Sequence, residues 1–159
     1  MAVDSKDAFE ILYKSQIGKI ARIFSFALKD RTTNVINMLR FLIKIKTPYE
    51  VLEKNNKNYT MHDRFSQIDA KYQKLLKKAI ALEKASGKIL FFQYSGDLSI
   101  SSDLSNELSY LFPKKIIVVI YIIGLKANIS VRGKKIRKAT LSEIHPITAS
   151  HKSFFLLII

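Results

Sequence analysis

The stretch that decides the fold is residues 88–133, KILFFQYSGDLSISSDLSNELSYLFPKKIIVVIYIIGLKANISVRG. Residues 89–94 are a short apolar and aromatic run closed by Ser95-Gly96-Asp97, the composition of a strand running into a turn. Ser101 is placed to cap a helix bearing Leu104, Leu108, Tyr110 and Leu111, and Asp103 and Glu107 fall early enough to suit its dipole. Phe112-Pro113-Lys114-Lys115 breaks that helix. Residues 116–125 are apolar apart from Tyr121 and Gly124. The run is about half the ~20 residues that a membrane-spanning helix needs, and its β-branched content reads as a buried strand. A turn at residues 124–126 leads to a further strand, 127–131, which ends in Arg132-Gly133. The order strand-helix-strand-strand predicts a small mixed sheet with at least one helix on it, an α+β or α/β arrangement.

Upstream of Ser86-Gly87 the period is helical. Phe9, Leu12, Ile17, Ile20, Phe24 and Leu28 recur at three- to five-residue intervals, one apolar stripe on a first helix. After a polar break, Thr32 or Thr33 is placed to cap a second helix carrying Val35, Met38, Leu39 and Leu42. Thr47-Pro48 reads as a cap followed by proline at the first helical position, opening a short helix. Met61, Phe65, Ile68, Tyr72, Leu75, Ala79 and Leu82 are spaced 4-3-4-3-4-3, with Lys71, Lys74, Lys77, Lys78 and Lys84 outward. That seam fits a long helix packed on its own neighbours better than a self-associating coiled coil. Gly87 ends it. The expected organisation is a helical region, 1–87, ending in a long linker helix, then a small α/β domain, 88–159. The apolar tail 154–159 is a last strand or a helix end; periodicity does not decide.

Twenty-seven Lys and Arg oppose thirteen Asp and Glu, a formal charge of +14 in 159 residues. Such an excess concentrates polyanions at the surface, so nucleic acid, an acidic protein or an anionic membrane are the natural partners. The absence of cysteine removes disulfides, thiol catalysis and thiolate metal sites. The start has no basic segment followed by an apolar run, which points to a cytoplasmic protein. His62, His145 and His151 stand apart without companion carboxylates at ligand spacing. The five glycines form no phosphate-cradling loop, and turn and capping duties account for the serines of residues 95–102. No catalytic residue, metal ligand or cofactor is assigned, and a non-enzymatic binding protein is expected.

One basic patch stands out. Lys126, Arg132, Lys134, Lys135, Arg137 and Lys138 occupy residues 126–138 with no acid between them. Following a strand end and a glycine, they are suited to displaying cations toward phosphates, with Arg132 best placed for a bidentate contact. The alternative is a solvated charge run that keeps a sheet edge from pairing. Few aromatic residues lie beside the patch, so sequence-specific readout is not expected.

The stretch Phe92-Gln93-Tyr94-Ser95-Gly96-Asp97, the helix up to Pro113 and the element Ala127-Asn128-Ile129-Ser130-Val131-Arg132-Gly133 resemble the DHH-associated domain of RecJ-like phosphoesterases. The resemblance spans roughly residues 65–150. It implies a domain that follows the catalytic domain through a long helix and binds the nucleic-acid substrate, with Ser130 and Arg132 at substrate-contacting positions. The family's glycine-rich element is degenerate here: Glu143-Ile144-His145-Pro146 keeps the His-Pro step without the preceding glycines. The Asp-His-His motif and metal-binding aspartates of the nuclease are absent from residues 1–87. A nuclease-less chain of this type resembles the RecJ-like DNA-binding homologue found with the GINS complex in archaea. The resemblance thus implies a non-catalytic, nucleoid-associated subunit of the replication machinery. Its partners would be GINS and replicative helicase subunits, with single-stranded DNA as a second ligand and no membrane.

Overall fold

The chain is helical through residue 83 and forms its sheet after residue 88, in a computed structural model that describes residues 5–133 and 155–158. The first helical stretch breaks where the periodicity reads straight through. Helix α1 (Ser5–Phe9) runs into a single π-helical turn, Glu10–Lys14, and α2 (Gln16–Ala27) restarts beyond Ser15. Ser15 has an extended backbone, and its hydroxyl accepts the Gly18 amide at 3.0 Å, an N-cap in the usual sense. Gly18 permits this arrangement, because a β-carbon there would overlap the carbonyl oxygens of Ile11 and Leu12. The restart changes the helical phase. Ile17 and Leu28, expected inward, are exposed, while Ile20, Ile23, Phe26 and Ala27 are buried.

Helix α3 (Thr32–Leu42) begins one residue earlier than the threonine cap expected for it. Arg31 is the N-cap position and has no capping side chain; the Asp30 carboxylate accepts the Arg31 amide at 2.7 Å and Asn34 Nδ2 at 3.0 Å. At the 3-10 turn Pro48–Leu52, Glu50 reaches back to accept the amides of Lys46 and Thr47 at 2.9 and 3.0 Å. Helix α4 (Tyr59–Glu83) buries Met61, Ile68, Tyr72, Leu76 and Ala79, with Phe65 half-buried between them. That stripe is spaced 4-3-4-4-3, the drift of a straight helix rather than a 3.5-residue heptad. Leu76 therefore takes the inward place expected of Leu75, and Leu82 is exposed.

Two units divide the chain, Met1–Gln73 and Lys74–Ile159, so the division falls inside α4 rather than at its end. The first has a core of Ile20, Ile23, Ala27, Met38, Val51 and Met61, backed by Phe24, Phe41, Leu52 and Phe65. Arg64 ties α4 to the end of α2, donating from Nε and Nη2 to the Lys29 carbonyl at 2.9 and 2.6 Å.

The second unit is a mixed sheet in the order β1-β2-β3-β4 with a helix on it. Strand β1 (Ile89–Ser95) is followed by α5 (Ser101–Leu111), then β2 (Ile116–Ile123) parallel to β1, with Ile89 opposite Ile116. Gly124, at φ 54°, and Leu125 turn the chain into β3 (Lys126–Arg132), antiparallel to β2 with Ile117 opposite Arg132. Left-handed φ at that turn is the conformation glycine adopts without strain. The tail is a strand, β4 (Phe155–Ile158), parallel to β3 with Lys126 opposite Phe155. Strand β3 is therefore paired on both sides over its first half, and the tail supplies the edge on that side.

Helix α5 packs on β2 and β3, over the face that carries Ile117, Val119, Tyr121 and Ser130. Leu104, Ser105 and Leu108 are its fully buried residues there. The opposite face gathers Val118, Ile120, Ala127 and Ile129 with Ile89, Phe91 and Ile116 around them. The alternation of inward residues along each strand follows from the two-residue period.

Candidate nucleic-acid interface

The sheet register decides which basic residues meet. Lys88 stands immediately before β1, Lys114 and Lys115 immediately before β2, and Arg132 closes β3 opposite Ile117. All four backbones lie at the amino end of the parallel pair. Adjacent strands are about 4.8 Å apart, so β1 to β3 spans about 10 Å at this end. Lys88 and Lys114 are exposed and Arg132 is half-buried. Arg132 Nη1 donates to the neighbouring Val131 carbonyl at 2.9 Å, which steadies the guanidinium without neutralising it. Its other donors keep the planar fork that suits a phosphate.

Lys115 has a different task. Its ammonium lies 2.7 Å from the Glu83 carboxylate and donates to the carbonyls of Glu83 and Ser86 and to Ser86 Oγ, each at 2.9 Å. It adds a donor to the Glu83 carbonyl, which already accepts from the Ser86 amide and hydroxyl, and satisfies the Ser86 carbonyl just beyond α4, while its charge complements the helix dipole.

The other expected contacts separate. Lys126 is exposed at the hairpin end of β3, six residues from Arg132, which is about 20 Å at the rise of a strand. Lys126 and Arg132 are thus at opposite ends of the sheet and do not form one patch. Ser130 is 3% exposed, and its hydroxyl pairs with Ser105 Oγ at 2.7 Å under α5. The substrate contact expected of Ser130 is therefore replaced by a bond that seats the helix. Lys134, Lys135, Arg137 and Lys138 lie outside the described residues, as do His145 and Pro146. Lys88 and Lys114 are the residues that sequence reasoning missed; their position one and two residues before a strand was visible, but the pairing that aligns them with Arg132 was not.

The carboxyl end of the parallel pair is built for rigidity. Tyr94 Oη accepts the Ile100 amide at 2.7 Å, and Tyr121 Oη donates to the Gly96 carbonyl at 2.8 Å. Burial pushes the Tyr94 phenol up to about 12, only partly opposed by its hydrogen bonds. The two rings pack at 5.3 Å between centroids. Ser99 and Ser101 hydroxyls share a 3.3 Å contact. These groups fix the 96–100 turn, but Ser101, expected to cap α5, is its first helical residue; the N-cap is Ile100, with no side-chain cap bond.

His62 is also structural. Its Nε2 donates to the Val51 carbonyl at 2.9 Å. Burial lowers its affinity for a proton, Lys54 and Lys19 lower it further, and the bond to Val51 only partly opposes them. Among the described residues no group of three or more histidines and carboxylates is placed to hold a metal ion, and no helix is long and apolar enough to cross a membrane. No family model, no curated protein and no solved structure matches this chain.

Proposed function

We propose that the chain is a non-catalytic nucleic-acid-binding subunit that grips the phosphate backbone of a single strand at the amino end of its parallel strand pair. The observation that carries this reading is the alignment of Lys88, Lys114 and Arg132 across about 10 Å of one sheet end. The chain runs from there into the lysine- and arginine-rich stretch 134–138. Cations at strand spacing favour backbone contacts over base readout. The resemblance to the DHH-associated domain of RecJ-like proteins supports the same end of the sheet through Arg132. It also supports a place beside GINS and replicative helicase subunits, where such a subunit holds a strand without cutting it.

Fluorescence anisotropy of a labelled oligonucleotide against salt tests the reading. Each phosphate contact contributes about −0.7 to the slope of log affinity on log salt. The variant Lys88→Ala/Lys114→Ala/Arg132→Ala is expected to flatten the slope by about 2. Equal slopes for the variant and the parent would refute the assignment.

A further inference from the structure

The exposed back of α4 carries Lys74, Lys77 and Lys78 at spacings of three and four residues, so their side chains share one face. All three are exposed, and Ala81 continues the row before Lys84 follows in the turn beyond the helix. No carboxylate lies three or four residues from any of them: Lys74 is flanked by Ala70, Lys71, Lys77 and Lys78. The acids of this helix nearest the row are engaged elsewhere, Asp69 with Arg22 at 3.7 Å and Glu83 with Lys115 at 2.7 Å. Like charges at these spacings destabilise a helix, and nothing among the described residues returns that cost. A solvated helix face of ordinary design would alternate signs. Ala81, three and four residues beyond Lys78 and Lys77, leaves that part of the row open, with exposed Ile80 and Leu82 on either side of it.

We infer that this lysine row is a second phosphate-binding track, along which the strand held at the sheet end continues. The inference rests on the nucleic-acid reading above. Its geometry is favourable because α4 ends where that cluster begins: the ammonium of Lys115, adjacent to Lys114, bonds the carbonyls of Glu83, the last residue of α4, and of Ser86 just beyond it. From Lys74 to Lys84 the chain rises about 15 Å at helical pitch, enough to accompany several nucleotides beyond those at the sheet end. The contacts are with phosphates, so the track is indifferent to base sequence.

The test is the salt dependence of binding to a single-stranded oligonucleotide by the full chain carrying Lys74→Ala/Lys77→Ala/Lys78→Ala. Alanine is the best helix former, so the substitution leaves α4 intact, and a circular dichroism melt checks this. Removing three phosphate contacts flattens the log–log slope by about 2. The companion Lys74→Arg/Lys77→Arg/Lys78→Arg keeps the charge and is expected to keep the slope. An alanine variant with the parental slope overturns the track while leaving the sheet-end site standing. That is also the outcome if the row serves an acidic protein instead. A parent that binds no strand at any salt overturns both.

Discussion

A side chain larger than hydrogen at position 18 meets the carbonyl oxygens of Ile11 and Leu12, so Gly18→Ala must push α2 away from the π-helical turn. Overpacking of this kind costs about 1–3 kcal/mol, and urea unfolding of the variant is expected to show a lowered midpoint with an unchanged slope. Nothing in the sequence marks that glycine as special. An isolated glycine inside a helical pattern reads as a mild propensity cost, and the approach of the preceding turn is a tertiary fact. His62 gives a second residue-scale prediction. Its proton affinity is lowered in the fold, so the unfolded chain takes up the proton first as pH falls. The contribution of neutral His62 is complete above the ordinary imidazole value of about 6.5 and is lost progressively below it. Stability measured by urea from pH 8 to pH 5 should fall in the parent more steeply than in His62→Gln, which has no proton to gain. Equal slopes would show that the ring titrates alike in both states. Nothing in the sequence marks a partner for His62, because the Val51 carbonyl that accepts from it lies across a loop.

At the scale of elements, the strands and α5 were legible because their signals are local. The apolar run at 116–123 and the glycine turn each fix a boundary within a few residues, and α5 starts at Ser101 itself, one residue earlier than a Ser101 cap would place it. The register was not legible, since pairing depends on where the crossover helix returns the chain. That is why Lys126 read as part of the Arg132 patch, although a strand separates them, and why Lys88 and Lys114 went unnoticed. The long helix shows a milder version of the same limit. A heptad and a straight-helix stripe differ by a residue only after several turns, here at Leu75 and Leu76. Lys115 joins two elements, closing the end of α4 from the start of β2. Lys115→Ala leaves the Glu83 carboxylate and the Ser86 carbonyl short of a donor, and should cost about 1–3 kcal/mol. Hydrogen exchange should show faster opening of the last turn of α4 in that variant. A variant as stable and as protected as the parent would show that solvent replaces the ammonium without loss.

For the whole molecule the distribution of charge matters more than its total. Residues 74–159 carry 14 of the 27 Lys and Arg but only 5 of the 13 Asp and Glu, so the excess is greater on the sheet-bearing unit. An excess of this sign raises the local concentration of polyanions and speeds their capture. The proposed place beside GINS predicts that purified GINS complex co-elutes with the chain after nuclease treatment; separate elution would remove the replication setting and leave strand binding to be judged alone. The central claim, a strand held at the amino end of the parallel pair, is tested most directly by lysine acetylation read by mass spectrometry, with and without a saturating single strand. The account predicts protection of Lys88 and Lys114, with Lys126 at the far end of β3 reacting as in the free protein. Bound strand with Lys88 and Lys114 still fully reactive would contradict it.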